Sequence, residues 1–160
     1  MEIFYVKTND FSTDTKYENE HILGRKIVEY AAKNIYNSNH CEIEIIKNKP
    51  QFKSLPIKFS ISHTKGLVAV CFDEFEIGFD AEFIKPRDYK AICKRMNFNL
   101  NEDSLEGFYK VWTEYEAVYK LGTTAKSKYS FIFDKNYAIT IASSKEQNIK
   151  DILKITQIFL

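Results

Sequence analysis

The chain has 160 residues, with 23 Lys and Arg against 22 Asp and Glu, and is 44% hydrophobic and 15% aromatic. That length fits one domain with a core of its own, and a formal charge of +1 excludes a global field that would draw the protein to nucleic acid or to a membrane surface. Cys41, Cys71 and Cys93 are odd in number and widely spaced, with no CxxC or Cys/His cluster, which argues against a disulfide framework or zinc site and points to a reducing cytoplasm.

MEIFYV predicts a short first strand. The stretch MEIFYVKTNDFSTD has no basic segment followed by an apolar one, and no run approaches the ~18 apolar residues that cross a bilayer. From Tyr17 to Tyr36 the pattern is helical, with Ile22, Ile27, Ala31 and Ile35 as the expected buried stripe. CEIEIIK alternates with period two and predicts a half-exposed strand, which KNKPQFKSLP then interrupts. KFSIS, LVAVCFD and EIGFDAE are β-prone, and the few polar positions between the last two suggest a hairpin or meander. Pro86 suits the opening of a helix through RDYKAICKRM, and Asp103 or Ser104 suits the cap of a second helix that passes Trp112 and stops at Gly122. SKYSFIF and YAITIAS read as a hairpin turning near Asp134 to Asn136, while NIKDILKITQIFL fits helix and strand equally. No repeat, low-complexity tract or linker divides the chain, so a single α+β domain with a small mixed or antiparallel sheet is expected.

The chemistry concentrates in two places. In EIGFDAE the pleat puts Gly78, Asp80 and Glu82 on one face and Ile77, Phe79 and Ala81 on the other. Two carboxylates at i and i+2 can share a hard cation such as Mg²⁺, and Gly78 would leave room beside them for a bulky anion. An isolated DxE is more often the solvent face of an amphipathic strand. On the later helix Trp112, Glu116 and Lys120 follow one another at i, i+4. Taken alone they are a core tryptophan and a surface ion pair worth about 0.2–0.5 kcal/mol; taken with the strand they offer a third acid and a phosphate-binding cation.

IGFDAE followed by WTEYEAVYKLG resembles the paired signature of the 4′-phosphopantetheinyl transferases, a G-x-D-x-E strand and a W-[ST]-x-K-E-A-x-x-K helix. FSISHT, the sequence Asn48-Lys49-Pro50 and the helix GRKIVEYAAKNIY resemble segments of the Sfp-type branch in matching order. The likeness runs from about Gly24 to Gly122, with a weaker echo in FIFDKNYAITIAS. It implies transfer of the phosphopantetheine arm of coenzyme A to a serine of an acyl or peptidyl carrier protein, releasing 3′,5′-ADP. It also implies Mg²⁺, or Mn²⁺ in its place, held by Asp80, Glu82 and Glu116. Lys120 would neutralise the pyrophosphate, and Glu116, directly or through a metal-bound water, is a candidate to take the serine proton, with the general base left open. Ser62 and His63 would meet the diphosphate or the 3′-phosphate, Lys49 and Pro50 the adenine, and Arg25 or Lys26 the 3′-phosphate. For the fold it implies a monomer of two pseudo-twofold α+β halves, near 1–75 and 76–160, with the coenzyme A cleft between them.

Lys85, Arg87, Lys90, Lys94 and Arg95 form a basic stretch suited to the acidic helix of a carrier protein, although a solvated charged face is the commoner use of such a run. Tyr115 stands where the family has a lysine, which leaves room for an inactive relative that binds coenzyme A or carrier protein without turnover. A DxE strand with a later acid also occurs in two-metal nucleases, against which the near-neutral charge and lack of a basic stripe count.

Overall fold

The computed structural model describes residues 1–8, 16–39 and 41–160; residues 9–14 of the N-terminal stretch read above lie outside them. The first half runs β1 (Glu2–Lys7), α1 (Lys16–Asn34), β2 (Ile43–Ile46), β3 (Lys49–Phe52), β4 (Lys58–Thr64) and β5 (Leu67–Asp73). The second runs β6 (Ile77–Phe83), α2 (Tyr89–Met96), α3 (Leu105–Leu121), β7 (Ser127–Phe133), β8 (Tyr137–Ser143), α4 (Ile149–Ile152) and β9 (Lys154–Gln157). The class is α+β, as expected. The strands make one sheet in the order β4-β5-β1-β9, a second in the order β6-β8-β7, and a separate β2-β3 hairpin.

The two larger sheets share a core. Ile3, Leu67, Ala69 and Cys71 of the first meet Ile77, Phe79, Ala81, Ile139 and Ile141 of the second. On the first sheet's other face Phe4, Val68, Val70 and Phe72 pack against Ile27, Val28, Ala31 and Ala32 of α1. With both faces covered, β5 is apolar almost end to end, which is why LVAVCF shows no alternation. The expected stripe on α1 holds at Ile27 and Ala31 and fails at its ends, where Ile22 is 46% and Ile35 39% exposed. Five residues separate Ile22 from Ile27, which turns it roughly 140° off the buried face at 100° per residue, and Ile35 lies beyond the last helical residue.

Three further expectations are corrected. KNKPQF does not break a strand; Lys47 and Asn48, with φ of 51° and 62°, turn β2 directly into β3. That is the left-handed pair of a two-residue hairpin, and it places Pro50 opposite Ile45, at a pair that needs no N–H. β5 and β6 are not hairpin partners: β5 pairs with β4 and β1, and β6 with β8 in the other sheet. Pro86 precedes α2 without opening it, because Asp88 is the cap, accepting from the Ala91 N–H at 3.1 Å. At α3 Ser104 caps the start and Gly122, at φ 71°, ends the helix, while Asp103 is engaged with Tyr89 and Lys90. The C-terminal segment divides into a short helix and a strand, the latter pairing parallel to β1. Among the described residues no helix is long and apolar enough to cross a membrane.

Candidate active site

The site begins with how β6 is held. One edge of β6 pairs with β8, and the other faces the side chains of β4. Ser60, Ser62 and Thr64 alternate along β4, and their hydroxyl oxygens accept from the N–H groups of Phe79, Ala81 and Phe83 at 3.1, 3.1 and 2.9 Å. A row of hydroxyls thus does for three N–H groups of this edge what a neighbouring backbone would do. The same geometry turns Ser62 toward Asp80, to whose Oδ1 it donates at 3.0 Å.

The acidic face of β6 is covered by α3. A Cβ built on Gly78 would lie 1.8 Å from the Ala117 carbonyl oxygen and 2.5 Å from the Leu121 nitrogen. Gly78 therefore makes room for helix backbone, not for an anion, which corrects the sequence expectation. The close approach lets Lys120 cross to β6, where its ammonium donates to Asp80 Oδ1 at 2.7 Å, to the Phe79 carbonyl at 3.2 Å and to Ser62 at 3.3 Å. Lys120 is thus paired with Asp80 on the strand, not with Glu116 on its own helix.

Asp80 is only 5% exposed, and its Oδ2 is buried with no hydrogen-bond partner among the described residues. Burial, then the charge of Asp80, holds the Glu116 carboxyl above its ordinary range, with Lys120 pulling the other way. Glu82 is raised by the same two causes in the same order, opposed by Lys120, by Arg87 and by a hydrogen bond from Trp112. Two carboxyls raised by burial and by the charge of a third beside them mark a place short of positive charge. Among the described residues no three His, Cys, Asp or Glu side chains stand gathered as a ready metal centre. The donors nevertheless fit a hard cation: all are oxygens, and Asp80 Oδ2 has an unmet need for a positive partner.

In front of Asp80 and Lys120 opens a cleft of about 930 Å³. Its wall brings together Arg25 of α1, Lys49 and Pro50 of the hairpin, Ser62 and His63 of β4, Asp80 and Lys120. Arg25, not Lys26, lies in this wall. Glu82 and Glu116 lie outside the lining, and both feel the charge of Asp80. The Lys49 ammonium is tethered to Glu76 at 3.1 Å and to the Ile77 carbonyl at 2.7 Å, which docks the hairpin on the start of β6. Burial pushes the Glu76 carboxyl up, but hydrogen bonds from Lys58 and Lys49 outweigh it and leave the group below its ordinary range.

Sequence reading assigned no part in this site to four residues, one of which, Arg87, it had placed in the basic stretch. Glu20, early in α1, receives His63 Nδ1 at 3.0 Å, a pairing that no local pattern signals. Tyr119 is exposed on the cleft wall. Arg87 lies over the rings of Phe108, Tyr109 and Trp112, with centroids 5.6, 5.8 and 5.9 Å away, and lends Glu82 positive charge. Thr64 completes the hydroxyl row. Tyr115, at the position of the family's lysine, packs its ring against Phe98 with centroids 5.5 Å apart. Of the basic stretch, Lys90 pairs with Asp103 at 3.1 Å and Arg87 lies over the aromatic rings, while Lys85 before α2 and Lys94 and Arg95 at its end are exposed.

No family model matches the chain. In a match that covers 46% of its length, it is 33% identical to the 4′-phosphopantetheinyl transferase AcpT of Salmonella typhi, covering 45% of that protein. It is likewise 33% identical over 86 residues to the 4′-phosphopantetheinyl transferase AcpT of Escherichia coli (strain K12), covering 44% of it. The chain spans a little under half the length of these curated relatives. Their names bear out the resemblance to the 4′-phosphopantetheinyl transferase superfamily that the two motifs carry.

Proposed function

We propose that this chain transfers the 4′-phosphopantetheine group of coenzyme A to a serine hydroxyl of an acyl or peptidyl carrier protein. The serine oxygen forms a bond to the phosphorus that bears the pantetheine arm, the pyrophosphate P–O bond breaks, and 3′,5′-ADP leaves. The observation that carries the reading is Asp80, a buried carboxylate with one oxygen bound by Lys120 and Ser62 and the other without a partner among the described residues, at the back of a cleft walled with cations.

In this reading Lys120 balances charge on the pyrophosphate and Ser62 and His63 contact it, while Lys49 and Pro50 face the adenine and Arg25 meets the 3′-phosphate. Glu116, whose carboxyl is held above its ordinary range, is suited to accept the serine proton. Asp80, Glu82 and Glu116 would hold Mg²⁺ or Mn²⁺, and the chemistry such an ion supplies when bound is neutralisation of charge on the pyrophosphate oxygens.

The two halves, near 1–75 and 76–160, are taken as pseudo-twofold equivalents in a monomer. Equivalent strand orders support this: β4-β5-β1 beside α1 corresponds to β7-β8-β6 beside α3, with β9 added to the first sheet. Three free thiols suit a cytoplasmic setting, where coenzyme A and carrier proteins would meet the chain. One observation favours a second reading. Tyr115 faces Phe98 and brings no cation to the phosphate side, as in a relative that binds coenzyme A without turnover.

Chromatography of 3′,5′-ADP distinguishes the two. Release that requires apo carrier protein and Mg²⁺ together supports the transferase. Coenzyme A bound without release supports the binding-only relative, and neither binding nor release removes both.

A further inference from the structure

Glu20 and His63 stand apart from the carboxylates around Asp80. The Glu20 residue is only 4% exposed, and its Oε2 lies 3.0 Å from His63 Nδ1. A buried acid of this kind is rare unless paired. His63 is braced a second time from α1 by the ring of His21, with centroids 5.3 Å apart at 62°. Both histidines line the cleft beside Arg25. The pairing has a chemical consequence. A neutral imidazole that donates Nδ1–H to a carboxylate carries its lone pair on Nε2, and it donates from Nε2 only as the imidazolium.

We propose that Glu20 is a positioning residue that holds His63 in this tautomer and stabilises its protonated form when a phosphate-bearing ligand enters the cleft, so that binding takes up one proton from solvent at Nε2. The proposal rests on the coenzyme A reading of the cleft and adds a residue that the transfer chemistry does not itself require. Among the described residues, the charged and titratable groups bearing on His63 include Glu20 and His21 from α1 and Lys120 from α3, with Arg25 in the same wall. Burial pushes the imidazole below its ordinary range, Glu20 opposes this, and His21 and Lys120 add to it. The ring is then neutral at pH 7 without ligand, and the proton arrives with the anion. Affinity for the ligand accordingly strengthens as pH falls.

The test is titration calorimetry of coenzyme A into the whole chain with Mg²⁺, in two buffers of different ionisation enthalpy, for wild type, Glu20→Gln, His63→Ala and the double variant. The wild-type enthalpy should depend on the buffer. Glu20→Gln, which keeps shape and loses charge, should bind roughly five- to tenfold more weakly and lose that dependence. The double variant should bind no more weakly than His63→Ala. In the ligand-free protein, ¹⁵N NMR should show His63 protonated at Nδ1 and titrating at lower pH in Glu20→Gln than in wild type. An identical His63 titration in both would overturn the proposal whatever the ligand does. If no form binds coenzyme A, the same titration with inorganic pyrophosphate decides. Buffer-dependent binding lost in Glu20→Gln supports the proton-coupled pair while removing the coenzyme A reading, and buffer-independent binding or none overturns the pair.

Discussion

Asp80 has two jobs that one substitution separates. Its Oδ1 anchors Lys120 and Ser62, while its charge raises the carboxyls of Glu82 and Glu116. Asp80→Asn keeps the shape and removes one of three crowded negative charges, so the melting temperature should be unchanged or raised while kcat falls by about 10²–10³. Thermal unfolding and steady-state rates on the same samples check this, and a near wild-type rate would remove Asp80 from the chemistry. The pH dependence has a definite sign. Glu82 and Glu116 are held above their ordinary range, so the folded chain keeps protons that the unfolded chain has released, and stability falls as pH rises from the unfolded value through the raised ones. Glu76, held below its ordinary range, acts oppositely at lower pH, so the change on adding Mg²⁺ is the cleaner quantity. The rise in melting temperature caused by Mg²⁺ should be larger near pH 7.5 than near about pH 5, where the carboxyls hold protons against the cation. An equal rise at both, or none, would count against these residues as the cation site.

Between elements, the contact of α3 with β6 is the one the site cannot lose. Gly78→Ala would drive a methyl into the Ala117 carbonyl, and the helix must lift away with Lys120 and Glu116. The expected cost is about 3 kcal/mol or more, roughly 6–12 °C in melting temperature, with loss of transfer. Gly122→Ala, whose Cβ would meet nothing within 4 Å, should cost only about 1 kcal/mol for its positive φ and leave the rate nearly intact. Comparable melting curves for the two variants would show that the close approach is not tight. These elements were mostly legible in the sequence, because strand alternation, the Ser104 cap and the Gly122 stop are local signals. Their partners were not. Periodicity marks β6 as a strand but cannot say that it pairs with β8 and leaves its other edge to Ser60, Ser62 and Thr64. The β2-β3 turn hid behind Lys47, a residue that supplies no turn signal, and the Glu20–His63 pair joins elements that only the fold brings together.

Across the whole molecule, the proposed function makes the cleft between the hairpin side and α3 the place for coenzyme A, and α2 the surface offered to the carrier protein. The sequence showed five basic residues there, and the structure leaves Lys85, Lys94 and Arg95 as exposed charges outside the pairings that engage Lys90 with Asp103 and Arg87 with aromatic rings. Charge reversal by Lys94→Glu with Arg95→Glu should raise the carrier-protein KM several-fold, more at low salt than at high, and leave coenzyme A affinity unchanged. Equal effects on both substrates would place docking elsewhere. The central claim is that the Asp80 site performs group transfer onto a carrier serine. Its most direct test is intact mass spectrometry of an apo acyl carrier protein incubated with this chain, coenzyme A and Mg²⁺, beside Asp80→Asn and EDTA controls. A carrier heavier by one phosphopantetheine, formed by the wild-type chain and absent in both controls, is the expected result. An unmodified carrier with a chain that still binds coenzyme A, or modification that persists in Asp80→Asn, would contradict it.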